Sequence, residues 1–116
     1  MEGPGWLPAV VIADANEASR AALARLAEIH LGWRVVGSVA DGIEALAEVR
    51  RLRPEFLVVD EDLEGLGGFE IARLLMGNPH TSVVTLVKDP RSAASSGCEV
   101  VAKSAWPHAR RPGVRS

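Results

Sequence analysis

The sequence has one cysteine, Cys98, so no intrachain disulfide framework can hold it together. It has no long apolar run. The longest, such as Ala9–Ala13, fall far short of the roughly 20 residues a membrane-crossing helix needs. No basic start followed by an apolar signal stretch is visible. Together these absences lead to the expectation of a cytoplasmic chain with no membrane partner. Charge of one sign is not in excess either: the net charge of −2 argues against nucleic acid as the main partner. No glycine falls in Asp14–Ser19, just after the first apolar run, so a Gly-rich phosphate loop is excluded there. That argues against a small flavodoxin-like enzyme or a nucleotide-binding domain.

What is present fits one domain with a real core. The chain has 116 residues, 47% of them hydrophobic, which leaves no room for a second core. Every acidic residue lies at or before Glu99, whereas Arg110, Arg111 and Arg115 follow Lys103 unopposed. Pro107 and Pro112 break any amphipathic stripe in that end. The expected organisation is an N-terminal extension over 1–8, a domain over 9–104, and a flexible basic tail over 105–116.

Apolar runs alternate with helical periodicity. Ala9–Ala13 reads as a strand buried on both faces, ending at Asp14. Asn16 can cap a helix to about His30, with Leu23, Leu26 and Ile29 at helical spacing and Gly32 as its stop. Val35–Val39 is a second strand, followed by a helix over about 42–53 with Ile43, Leu46, Val49 and Leu52 inward. Phe56–Val59 is a third, wholly apolar strand that ends on Asp60. Glu61–Gly67 is an acidic, Gly-rich loop, and Ile71, Leu74 and Leu75 mark a helix over about 68–76. Val83–Val87 and Val100–Ala102 complete five strands.

This alternation predicts an α/β fold, a flavodoxin-like doubly wound parallel sheet in the order 2-1-3-4-5. Strands one and three then meet at the switch point, where ligands bind beyond the carboxyl ends. Those ends carry Asp14 and Asp60, and Lys103 follows strand five. Singly, Asp14 is explained as a turn residue and Lys103 as a solvated charge. Their convergence points elsewhere. Two neighbouring carboxylates share a proton or hold a cation, and Mg²⁺ suits such a hard oxygen set. With an ammonium beside them, they make a site able to accept a phosphoryl group on a carboxylate. Asp60 would be the nucleophile, Asp14 a metal ligand and Lys103 the phosphate clamp. His30, His80 and His108 have no metal-ligand partners at suitable spacing.

Several stretches together resemble the receiver domain of bacterial response regulators. They are Val11–Asn16, Trp33–Leu46, Arg51–Asp60 and Gly67-Gly68-Phe69-Glu70, and the likeness runs from about residue 9 to 104. The resemblance implies a signalling domain rather than an enzyme, phosphorylated on Asp60 by a histidine kinase or phosphotransfer protein. It also implies that the backbone carbonyl of Asp62 is a third metal ligand, beside Asp14 and Asp60.

The departures from that pattern matter as much. The family has two adjacent acids after strand one, and here the second position is Ala15, so Mg²⁺ binding is expected to be weak. The hydroxyl residue at the end of strand four aligns with Val87, and the aromatic switch position with Val100. Both are aliphatic, which implies impaired switching. Only Lys88–Glu99 separates strands four and five, so the fourth helix should be short, and the fifth helix appears nowhere in the apolar pattern. Trp106, or a second copy of the chain through the strand-four–strand-five face, could cover the sheet. The alternative function is a phosphorylation-independent interaction or dimerisation module.

Overall fold

The computed structural model describes residues 7–89, 91 and 99–107. The expected short fourth helix, missing fifth helix and flexible tail fall mainly on 90, 92–98 and 108–116, outside the described residues. Five parallel strands are present: β1 (Ala9–Ala13), β2 (Arg34–Val39), β3 (Phe56–Asp60), β4 (Ser82–Val87) and β5 (Val100–Ala102). They lie in the order β2-β1-β3-β4-β5, as the sequence predicts. Helices α1 (Glu17–Leu31), α2 (Gly42–Leu52) and α3 (Gly68–Leu74) connect the first four strands, and a 3-10 turn, Lys103–Ala105, follows β5. Among the described residues, no helix is long and apolar enough to cross a membrane.

The sheet is buried on both faces because β1 is apolar throughout and β3 is apolar up to Asp60. Successive side chains point to opposite faces, and two cores result. Val10, Ile12, Val58, Val84 and Leu86 pack with Leu23 and Ala27 of α1. Val11, Ala13, Leu57 and Val59 pack with Ala45 and Val49 of α2 and Ile71 of α3.

Ile43, read as inward, is 59% exposed, and Ile29 and Leu74, which also fit the helical period, are exposed at 66% and 62%. The helix faces are set by alanines that a search for large apolar residues passes over. In α1 the pair Leu23 and Ala27, one turn apart, lies against the sheet, which turns Ile29 outward. Ala45 and Val49 do the same in α2, at the expense of Ile43. Helices α2 and α3 also stop slightly earlier than their periodicity suggests. Arg53 takes the left-handed conformation (φ 47°) and its N–H closes α2 onto Val49 O.

Trp106 is buried at the α1 face, 2% exposed. Its ring centroid lies 6.4 Å from that of Trp33, which stacks on Phe56 at 4.3 Å with 4° between planes. Residues beyond β5 thus complete the core under α1.

One close approach fixes the loop that leads away from the end of β3. The N–H of Gly42 donates to Glu64 O at 2.9 Å. A Cβ at Gly42 would lie 2.3 Å from the Leu66 carbonyl oxygen. Only glycine lets the loop after Asp60 lie on the start of α2.

Candidate functional site

The parallel register of β1 and β3 pairs Ala13 with Val59, so the next residues along, Asp14 and Asp60, leave the sheet side by side. Both are nearly buried, at 3% and 6% exposure. On the other side of β3, Asp60 is in register with Leu86 of β4, and Val87 with Ala102 of β5. Lys103 therefore emerges at the same edge. Its ammonium donates to Asp14 Oδ2 at 2.9 Å and to Asp60 Oδ2 at 2.5 Å. Three residues predicted from distant parts of the chain are brought together.

Local turns aim the carboxylates. Asp14 Oδ1 accepts from the Asn16 N–H (2.9 Å), and Asp60 Oδ1 accepts from the Asp62 N–H (2.8 Å). Each aspartate so closes a turn over the residue two positions on. Asn16 caps α1 by accepting from the Ser19 N–H at 2.7 Å. The cap fixes the first turn so that the Ser19 hydroxyl donates to Asp14 Oδ2 at 2.6 Å and the Arg20 guanidinium to Asp14 O at 2.8 Å. A Cβ at Gly68 would stand 2.7 Å from Asp60 O, so α3 begins directly on the backbone of Asp60.

Burial pushes the Asp14 carboxyl up, but the Ser19 hydroxyl, Lys103 and the Asn16 N–H outweigh it and hold it below the ordinary carboxylate value. Burial pushes Lys103 down, and its bonds to Asp60 and Asp14 more than reverse this, leaving it above an ordinary lysine. The two shifts set opposite pH dependences. The contribution of Asp14 is complete above its unfolded value of 3.8 and lost as pH falls below that, through the depressed folded value. That of Lys103 is complete below 10.5 and lost as pH rises above it. Asp14→Asn is therefore expected to be less stable than the parent near neutrality. The gap should narrow as pH falls below 3.8, which urea melts over a pH series will check; a gap independent of pH contradicts the assignment.

Asp14, Ala15, Asn16, Ser19, Asp60, Asp62, Lys88 and Lys103 line an open cleft of about 380 Å³. Ala15 brings a methyl where an acid would complete the pocket. Neither neighbour fills that place. Glu61 Oε2 accepts from the Lys88 N–H at 2.8 Å, and Asp62 Oδ2 pairs with the Lys88 ammonium at 3.0 Å. This exposed pair raises the Lys88 pKa, chiefly through the hydrogen bond to Asp62, with a smaller part from the charge of Asp60.

Among the described residues, no three His, Cys, Asp or Glu side chains stand close enough to hold a metal by themselves. Asp14 and Asp60 still offer hard oxygen donors, and because one ammonium touches both, one small cation can also reach both. Their chemistry fits Mg²⁺, with fewer anionic ligands than two adjacent acids would give.

Val87 is fully buried at the end of β4, and Val100 begins β5. Thr85, two residues before Val87 and in register with Val100, is also fully buried, and its hydroxyl has no hydrogen-bond partner among the described residues.

Sequence reasoning missed Ser19, Arg20 and Lys88. Ser19 and Arg20 lie in the first turn after the Asn16 cap, and a side chain there points back toward the strand end. Lys88 directly follows the last residue of β4.

The comparisons with known proteins agree with this geometry. Residues 10–103 match the family of the response regulator receiver domain. Protein-glutamate methylesterase/protein-glutamine glutaminase 6 of Anaeromyxobacter dehalogenans (strain 2CP-C) is 40% identical over 84 residues, covering 72% of this chain and 24% of that protein. Response regulator GacA of Pseudomonas viridiflava is 32% identical over 78 residues, covering 66% and 36%. The chain thus spans about a quarter of the first relative's length and about a third of the second's. Among solved structures, the receiver domain of the sensor histidine kinase PA1611 from Pseudomonas aeruginosa PAO1, with a magnesium ion coordinated in its active site cleft, is similar with a TM-score of 0.66. The two are 20% identical, and 84% of this chain and 85% of that one are covered. With the sheet order, the paired aspartates and a match over most of its length, this chain belongs to the response regulator receiver domain family.

Proposed function

We propose that the chain accepts a phosphoryl group on Asp60 from a histidine kinase or phosphotransfer protein. The observation that carries this reading is the single Lys103 ammonium held between two buried carboxylates at the switch point. Asp14 accepts three bonds on its two oxygens, whereas Asp60 accepts one on each. Asp60 is accordingly the freer nucleophile. Its oxygen attacks the phosphorus of a phosphohistidine; the P–O bond forms as the P–N bond breaks, and the imidazole leaves with the electron pair and takes up a proton. Lys103 turns its charge to the phosphoryl oxygens, while Ser19 and the Asn16 N–H keep Asp14 ionised and in place.

Receiver domains bind Mg²⁺ at the phosphorylation site. Here Asp14, Asp60 and the backbone carbonyl of Asp62 would hold it, and when bound it neutralises charge on the transferring group. Ala15 supplies no second acid, so this binding is weak. The aliphatic Val87 and Val100 impair switching, since neither a hydroxyl at the phosphoryl group nor a moving aromatic ring is available. The methylesterase activity in the relative's name belongs to that protein and is not carried over to this chain.

A second reading, a phosphorylation-independent interaction module, draws on the same Ala15, Val87 and Val100. It requires that Asp60→Asn leave partner binding or dimerisation unchanged.

Acetyl phosphate and Mg²⁺ test the first reading. The intact chain is expected to gain the mass of one phosphoryl group, and Asp60→Asn none. A parent chain that stays unmodified over the full range of donor and Mg²⁺ concentrations overturns it.

A further inference from the structure

We propose that Lys88 is a second phosphoryl-binding ammonium, parked on Asp62 in the resting chain and drawn into the cleft when Asp60 carries its phosphoryl group. The inference rests on the reading of Asp60 as the acceptor and adds a residue to that site.

The charges within the cleft make the case. Its lining holds three carboxylates, Asp14, Asp60 and Asp62, and two ammoniums, Lys103 and Lys88. Lys103 is already divided between Asp14 and Asp60. A phosphoryl group on Asp60 replaces one negative charge with about two, at the same spot and in a partly buried setting. Lys103 alone cannot balance this addition and keep Asp14. Ala15 brings no metal-binding charge, and Val87 brings no donor. The nearest further cation lining the cleft is Lys88, the residue directly after Val87.

Its backbone is anchored while its head is free to move. The Lys88 N–H is held by Glu61 Oε2 at 2.8 Å, which ties the end of β4 to the end of β3. The ammonium sits 3.0 Å from Asp62 Oδ2, and the two side chains are 74% and 61% exposed. An exposed pair of this kind is weak and readily exchanged. A phosphoryl dianion is a stronger partner than a lone solvated carboxylate. Asp62 is itself tethered to the acceptor, since its N–H donates to Asp60 Oδ1. The parked ammonium is therefore held on a residue two positions from Asp60, beside the place where it is needed.

Beryllium trifluoride, which mimics a phosphoryl group on an aspartate, is the probe, with fluorine NMR of the bound fluorides as the readout in the presence of Mg²⁺. Lys88→Ala is expected to weaken its binding roughly three- to ten-fold and to shift a bound fluorine resonance. Asp62→Asn, which releases Lys88, is expected to tighten binding by roughly two- to five-fold. A merely structural pair would move both variants in the same direction. Lys88→Ala binding like the parent with an unchanged fluorine spectrum overturns the role of Lys88 and leaves Asp60 as acceptor. A parent chain that takes up no fluoride at all overturns the acceptor reading, and this inference with it.

Discussion

Lys103→Ala is expected to destabilise the fold by about 3–5 kcal/mol, because it leaves two buried carboxylates without their shared cation. The magnitude follows from asymmetry. The intact cluster contributes modestly, since desolvating an ammonium and two carboxylates offsets much of their attraction. Removing only the cation keeps that cost and discards the attraction. Asp14, with 4% of its side chain exposed, and Asp60, with 8%, cannot recover it from water. Their mutual repulsion is then no longer offset by a cation between them. Asp14→Asn combined with Lys103→Ala should recover part of the loss, because a single buried charge remains. Urea denaturation of the four chains measures this coupling. In the same variant, phosphoryl acceptance should fall by roughly a hundred-fold or more, as when one preorganised donor is removed from a developing charge. If Lys103→Ala is as stable as the parent, the cluster is not the buried, coupled unit described above.

Trp106→Ala is expected to cost a further about 3–5 kcal/mol, the range for emptying a buried aromatic site. At 2% exposure the indole closes the α1 face beside Trp33, Leu23 and Val101. Its N–H has no partner among the described residues, so its contribution is apolar packing. Trp106→Phe should accordingly cost much less than Trp106→Ala. Thermal melts of the two variants give the comparison; equal losses would mean that the ring volume is not what matters. Because Lys103 lies three residues before Trp106, with the 3-10 turn between them, the tryptophan also anchors the segment that carries the site's lysine.

The strands and the site trio were legible in the sequence for a physical reason. Strands buried on both faces leave unbroken apolar runs, and each of the first and third runs stops on an aspartate. Sheet order then brings those carboxylates together without any detail of side-chain packing. Inward helix faces were harder to read. Ile29 and Ile43 fit the helical period, yet Ala27 and Ala45 take the places against the sheet. A small side chain lets a helix approach closely, and its hydrophobicity is a poor guide to that role. Ser19, Arg20 and Lys88 were hidden for a different reason. Each acts through a hydrogen bond or ion pair whose direction depends on a cap, a turn or a strand end. Glu61 and Asp62 are acids beside Asp60, and only their side-chain directions decide whether either replaces the acid missing at Ala15. Both are turned to Lys88, an arrangement set by the pairing of β3 with β4.

The central claim is that Asp60 is the atom donor to the new bond, and its location can be read directly. After treatment with acetyl phosphate and Mg²⁺, borohydride reduction converts a phosphorylated aspartate to homoserine, which peptide mass spectrometry places in the sequence. Reduction is expected at Asp60 and at no other acid of the cleft. Reduction at Asp14 or Asp62, or at none of the three, would contradict it.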